Sequence, residues 1–225
     1  MREIVIDTET TGLDYKSGDR IIEVGCVELR NHIPTGNNLQ FYCRPDRNIS
    51  DGAKTIVGLS DEFLKTQKTF EENHKKLLDF IKEDVLIIHN ASFDLGFINK
   101  ELSLIGMPPI TNPVIDTVSL AREVLNTRIA NLDYLCRRLN VDLSERSFHG
   151  ALLDSQLLAS VYLELKGGKQ FSMELETDKG NNLKNSINNK NTQKTKKIIL
   201  NEETLSRHKE MLKKIKKPIW NKFNY

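Results

Sequence analysis

The sequence predicts an α/β domain, a mixed β-sheet flanked by helices, followed by a flexible C-terminal tail. Three observations carry this. The chain opens with three consecutive strand-like runs. It then alternates a short apolar run with helical periodicity. After Glu176 its composition turns polar and charged. Strands first and alternating strand and helix afterwards build a mixed sheet with helices on its faces.

The opening run "EIVID" (3–7) is short, β-branched and ends in a carboxylate, as a central strand would. "RIIEVGCVELRN" (20–31) and "LQFYCRP" (39–45) supply two more strands, and "TGNN" (35–38) between them predicts a hairpin loop in an antiparallel meander. Helical spacing covers 61–82, with Phe70, Leu77, Leu78 and Ile81 on one stripe. "VLIIH" (85–89) predicts a buried strand. A helix over 92–106 follows, with Ser92 as its N-cap and Gly106-Met107-Pro108-Pro109 as its stop. "VIDT" (114–117) predicts a short strand, then helices near 117–126 and 131–140, and a last strong helix from about Gly150 to Leu165.

Residues 177–197 hold no aromatic and only Leu183 and Ile187 as large aliphatics, so the stretch predicts a disordered polar linker. Residues 199–220 recover an apolar stripe through Leu205, Met211, Leu212 and Ile215, which suits a helix that docks on a partner. The expected organisation is therefore a domain at 1–168, a short segment at 169–176, a linker at 177–197 and a docking tail at 198–225.

The net charge of +2 hides an asymmetry. Residues 166–225 carry 15 Lys+Arg against 6 Asp+Glu, whereas residues 1–165 carry 18 against 25. An acidic domain holds free nucleic acid weakly, because non-specific binding relies on basic charge. Cys26, Cys43 and Cys136 are widely spaced and form no CxxC, which suits a reduced, cytoplasmic protein. No apolar run reaches the roughly 20 residues of a membrane span, and "MREIVID" has no secretory h-region.

The motif "DTETTG" (7–12) sets Asp7 and Glu9 on one face of a strand. Their repulsion is relieved best by a divalent cation, and oxygen-only ligation favours Mg²⁺ or Mn²⁺ over zinc. Taken alone, such a pair is better explained by an ordinary exposed strand. Asp94 follows "IIHNASF" where a strand hands over to a helix. "HGALLDS" (149–155) puts His149 before the last helix and Asp154 in its second turn, beside Leu153, Leu157 and Leu158. A lone ionised carboxylate on such a face is costly unless a cation partners it. Four carboxylates and a histidine at element ends form a set suited to in-line displacement at phosphorus. Two divalent ions stabilise the attacking and leaving oxygens, and the histidine takes a proton from water.

"DTETTG", "HNASFD" and "HGALLD", in this order and spacing, resemble the three motifs of the DEDDh family of 3′→5′ exonucleases, whose fold is ribonuclease-H-like. "GNNLQFYCRPDR", "DEFL", "HGALLDSQLLASVYL" and the tail resemble more narrowly the epsilon (proofreading) subunits of bacterial DNA polymerase III. The resemblance covers residues 3–175 well and 198–220 loosely. It implies Asp7, Glu9, Asp94 and Asp154 as ligands of two Mg²⁺ or Mn²⁺ ions, and His149 as general base. It further implies contact with a DNA 3′ end through Asp7, Glu9, Thr10, Gly12, Leu13, Asn90 and Phe93, Gly12 letting backbone approach the substrate.

Where such subunits show V-H-G before "DEFL", this chain has Ile56-Val57-Gly58, so the resemblance implies loss of a histidine contact to the nucleotide. "QFSMEL" (170–175) resembles a sliding-clamp-binding motif, with Gln170, Met173 and Leu175 as anchors. The tail, with Trp220, implies docking on the polymerase catalytic (alpha) subunit, and a small third core subunit fits the same picture. The rival readings are an RNA-trimming exonuclease of the same family, which would lack the linker and tail, and a non-catalytic tether between polymerase and clamp, which would have no use for buried carboxylates.

Overall fold

The computed structural model describes residues 1–144, 148–167 and 202–214. The chain divides into two units, Met1–Glu174 and Leu175–Tyr225. The expected clamp-binding residues Gln170, Met173 and Leu175, the linker 177–197 and Trp220 lie outside the described residues.

The first unit is built on a five-stranded sheet in the order β3-β2-β1-β4-β5. Strands β1 (Arg2–Thr10), β2 (Ile21–Arg30) and β3 (Ile33–Tyr42) form the predicted antiparallel meander, while β4 (Val85–Ile88) and β5 (Val114–Asp116) run parallel to β1. Alternation along β1 sends Ile4 and Ile6 to one face and Val5 to the other. The first face packs on α3 (Phe70–Ile81) and α4 (Ala91–Leu104) through Leu77, Ile81, Phe97, Ile98 and Leu102. The second packs on α7 (Ala151–Leu165) through Leu158, Ala159 and Tyr162. This three-layer arrangement is the predicted α/β fold.

Three local expectations are corrected. "TGNN" does not make the hairpin loop: it lies inside β3. The reversal falls instead at Asn31-His32, whose φ values of 51° and 61° are those of a two-residue turn matched to the twist of the strands. Gly36, at φ 80°, and its neighbours sit where the β2–β3 register shifts, so the turn-like chemistry there serves a bulge.

The helical stretch 61–82 is two helices, α2 (Asp61–Lys65) and α3, because Thr69 starts a second helix with a complete capping box to Glu72. A helix α1 (Asp51–Val57), absent from the prediction, precedes them. Its signal is the Ser50 N-cap and the left-handed Gly58 beyond its end.

Ser92 is not the cap of α4. Asn90 holds that position at φ 61°, without capping through its own side chain. The helices α5 (Thr117–Leu125) and α6 (Leu132–Arg138) fall where expected. In the second unit, α8 (Glu202–Lys213) lies within the predicted docking segment. None of the described helices is long and apolar enough to cross a membrane.

Candidate active site

Strand β1 outruns β4 at its C-terminal end, since pairing with β4 stops at Ile6. Asp7 and Glu9 stand on that overhang, on the α7 face. A register shift between Glu9 and Thr10 bends the strand beside them. Asp94 reaches the same end from the first turn of α4, and Asp154 from α7. Asp94 and Asp154 are each only 3% exposed.

The electrostatics report how close these groups are. Burial pushes the Asp7 carboxyl well above its usual range, and the charges of Asp94, Glu9, Asp154 and Glu23 add to the shift. Burial raises Asp94 to about 7, against the opposing pull of its hydrogen bonds. One of those bonds is from Thr8, whose Oγ1 donates to Oδ1 at 2.7 Å. Thr8 points away from Asp7 and Glu9, so the strand holds Asp94 from its other face. A chain gains nothing in stability from carboxylates so placed, and the arrangement fits a group of opposite charge between them.

His149 is half-exposed, with Nδ1 3.3 Å from Asp154 Oδ2. Ligand atoms of Glu9, His149 and Asp154 all lie within 4.8 Å of one another. The residues present fit a divalent cation: the donor set is oxygen-rich, converges at one strand end and is strained by its own charge. Helix α1 holds this side of the site. Ser50 N–H donates to Thr11 O at 3.0 Å at its start, His149 N–H donates to Ile56 O at 3.0 Å at its end, and the Phe148 ring covers Gly58.

The expected nucleotide-contacting residues lie around the same end. Leu13 is exposed, Asn90 is exposed at the start of α4, and Phe93 packs its ring 4.9 Å from that of Phe97. Gly12 is small for a reason inside the loop: a Cβ there would meet the Asp19 carboxylate at 2.4 Å. Asp19 accepts hydrogen bonds from Thr11 Oγ1 and Asp14 N–H, and Thr10 Oγ1 donates to the Gly12 carbonyl at 2.6 Å. The threonine hydroxyls thus close the loop on itself. Val57 faces the core with Ile22, Ile49 and Leu64, and it is Ile56 that is exposed.

Sequence reasoning missed Thr8, Glu23, Gly25 and Asp116. Gly25 had a signal, being a glycine inside a strand. A Cβ there would lie 2.2 Å from the Ala151 carbonyl carbon, so α7 rests directly on β2. Ser155 Oγ fixes the contact by donating to Gly25 O at 3.0 Å.

The exonuclease family (RNase T) matches residues 4–162. This chain belongs to that exonuclease family. The DNA polymerase III subunit epsilon of Rickettsia felis is 46% identical over 96% of this chain and 98% of its own length. The DNA polymerase III subunit epsilon of Escherichia coli is 44% identical over 78% of this chain and 77% of its own. Among solved structures, the nuclease domain of 3′hExo, a DEDDh family member bound to rAMP, superposes with a TM-score of 0.64 at 22% identity. It covers 74% of this chain and 92% of that one. The likeness places the fold with the ribonuclease-H-like exonucleases, as the resemblance implied.

Proposed function

We propose that the protein is the proofreading subunit of a bacterial DNA polymerase III, a metal-dependent 3′→5′ exonuclease that removes mispaired 3′-terminal nucleotides from DNA as nucleoside 5′-monophosphates. The observation that carries the reading is the convergence of Asp7, Glu9, Asp94, Asp154 and His149 at one strand end. Relatives that bear the epsilon name match nearly the whole chain, tail included.

Asp7, Glu9, Asp94 and Asp154 would hold two Mg²⁺ or Mn²⁺ ions. When bound, these supply positive charge for the attacking and leaving oxygens of phosphodiester hydrolysis. His149 takes the proton of the attacking water; its exposure leaves the imidazole open to exchange that proton with solvent. Thr10, Gly12, Leu13, Asn90 and Phe93 border the terminal nucleotide, with Leu13 as the exposed apolar surface for its base.

The acidic domain receives its DNA end from the polymerase rather than by its own affinity. The alpha subunit binds the tail, the clamp binds Gln170, Met173 and Leu175, and a small third core subunit is compatible with this. The protein works in the cytoplasm.

The test is incubation of the purified chain with Mg²⁺ and 3′-mispaired DNA or matching RNA, with product identification. Nucleoside 5′-monophosphates from the DNA, lost in Asp7→Ala, are expected. Near-wild-type activity in Asp7→Ala sinks the assignment. Preference for the RNA turns the reading to an RNA-trimming enzyme.

A further inference from the structure

The two helices that bring Asp94 and Asp154 to the site share an unusual feature. Neither caps its own N-terminus with a side chain: α4 starts at Asn90 and α7 at Gly150, with no side-chain cap bond at either. Both borrow a carboxylate from a distant strand. Asp116, on β5, accepts from the N–H groups of Asn90 at 3.1 Å and Ala91 at 3.3 Å. Glu23, on β2, accepts from the N–H groups of Ala151 and Leu152.

Glu23 is the more telling. It is 2% exposed and stands opposite Glu9 in the β1–β2 register, on the α7 face. The fold therefore buries a fifth carboxylate beside four others, where mutual repulsion opposes it. The N–H groups at the start of α7 and the positive end of its dipole compensate. Gln40 Nε2 holds the other side of the carboxylate, donating to Oε1 at 2.8 Å, and is itself 3.1 Å from the Tyr42 hydroxyl. The cap also bears on the loop, because His149 is the residue just before Gly150. A helix start fixed to β2 through Glu23, Gly25 and Ser155 fixes Asp154 and His149 together.

We infer that Glu23 is a positioning residue: by capping α7 from the sheet, it sets where Asp154 and His149 stand relative to Asp7 and Glu9. The inference rests on the reading of Asp154 as a cation ligand and His149 as the base. Removing an outer partner of this kind lowers metal affinity or activity by roughly 10–100-fold.

The experiment uses the full chain. Glu23→Ala is compared with wild type by thermal melt, by calorimetric titration with Mn²⁺, and by kcat and KM on a single-stranded 3′ end across pH. The expected result is a folded variant with Mn²⁺ affinity and kcat each lowered roughly 10–100-fold and KM little changed. A folded variant with wild-type Mn²⁺ affinity, kcat and pH profile overturns the inference and leaves Glu23 a stability cap only. If Glu23→Ala does not fold, Glu23→Gln, which keeps an acceptor for one N–H, carries the test. An intermediate loss of affinity is then expected, and a wild-type value overturns it. Asp154→Ala separates the two layers. Should it retain Mn²⁺ binding and activity, the ligand reading fails. Should it lose both while folded Glu23 variants keep both, only the positioning role fails.

Discussion

The imidazole of His149 stands with Nδ1 3.3 Å from Oδ2 of Asp154, and its backbone N–H is tied to Ile56. One residue is buried and the other half-exposed, so a buried carboxylate and an imidazole open to water are held side by side.

From this follows the first prediction. The rate should rise with pH, because a general base accepts the proton of water only when deprotonated. His149→Ala should flatten that rise and lower the rate by roughly 10²–10⁴-fold, the usual share of general acid–base catalysis. An unchanged pH–rate profile in the variant assigns the base elsewhere.

The second concerns stability without metal. The carboxyl of Asp94 is raised to about 7 in the folded chain, from an ordinary value near 3.8. A carboxyl raised by folding binds its proton more tightly in the native state. Its contribution is therefore present below about pH 4 and lost as pH rises towards 7. In chelator, the melting temperature should fall across that window. Asp94→Asn should flatten the fall, and Mn²⁺ should restore stability to the wild type but not to the variant. A melting temperature independent of pH between 4 and 7 in the wild type contradicts the strained-carboxylate account.

The third tests the seat of α7. Gly25→Ala places a methyl group 2.2 Å from backbone of Ala151, which cannot give way as a flexible side chain would. Overpacking of this kind destabilises by about 1–3 kcal/mol. Activity should fall by more than the melting shift explains, because α7 carries Asp154. Full activity in a folded Gly25→Ala would show that the site tolerates movement of the helix.

The fourth concerns the tail. On the proposed reading, a polar linker of the length of 177–197 would reach about 25 Å and would raise the local concentration of the nuclease at the primer end. Truncation after Glu176 should leave hydrolysis of a free single-stranded 3′ end nearly unchanged and abolish co-elution with the polymerase catalytic subunit. Continued co-elution at micromolar concentration locates the interface in the domain.

The sequence by itself marked most of the elements, and it marked the carboxylates and the histidine that the fold brings to one strand end. The β-branched run of β1, the helical stripe of α3 and the carboxylates at element ends are local patterns with periods of two and 3.6 residues, and these survive in one dimension. It was silent or misleading where a feature depends on a partner far along the chain. "TGNN" has turn chemistry, but its pairing with β2 makes it a bulge, and the reversal passes to Asn31-His32. Gly12 is small because of Asp19, and Gly25 because of Ala151. Thr8 and Glu23 look like ordinary strand residues until α4 and α7 are laid against the sheet. Only the tertiary structure decided which buried polar group answers which. A hydrogen bond or close contact is set by distance in space, and residues some 80 to 130 positions apart meet there without leaving a periodic trace.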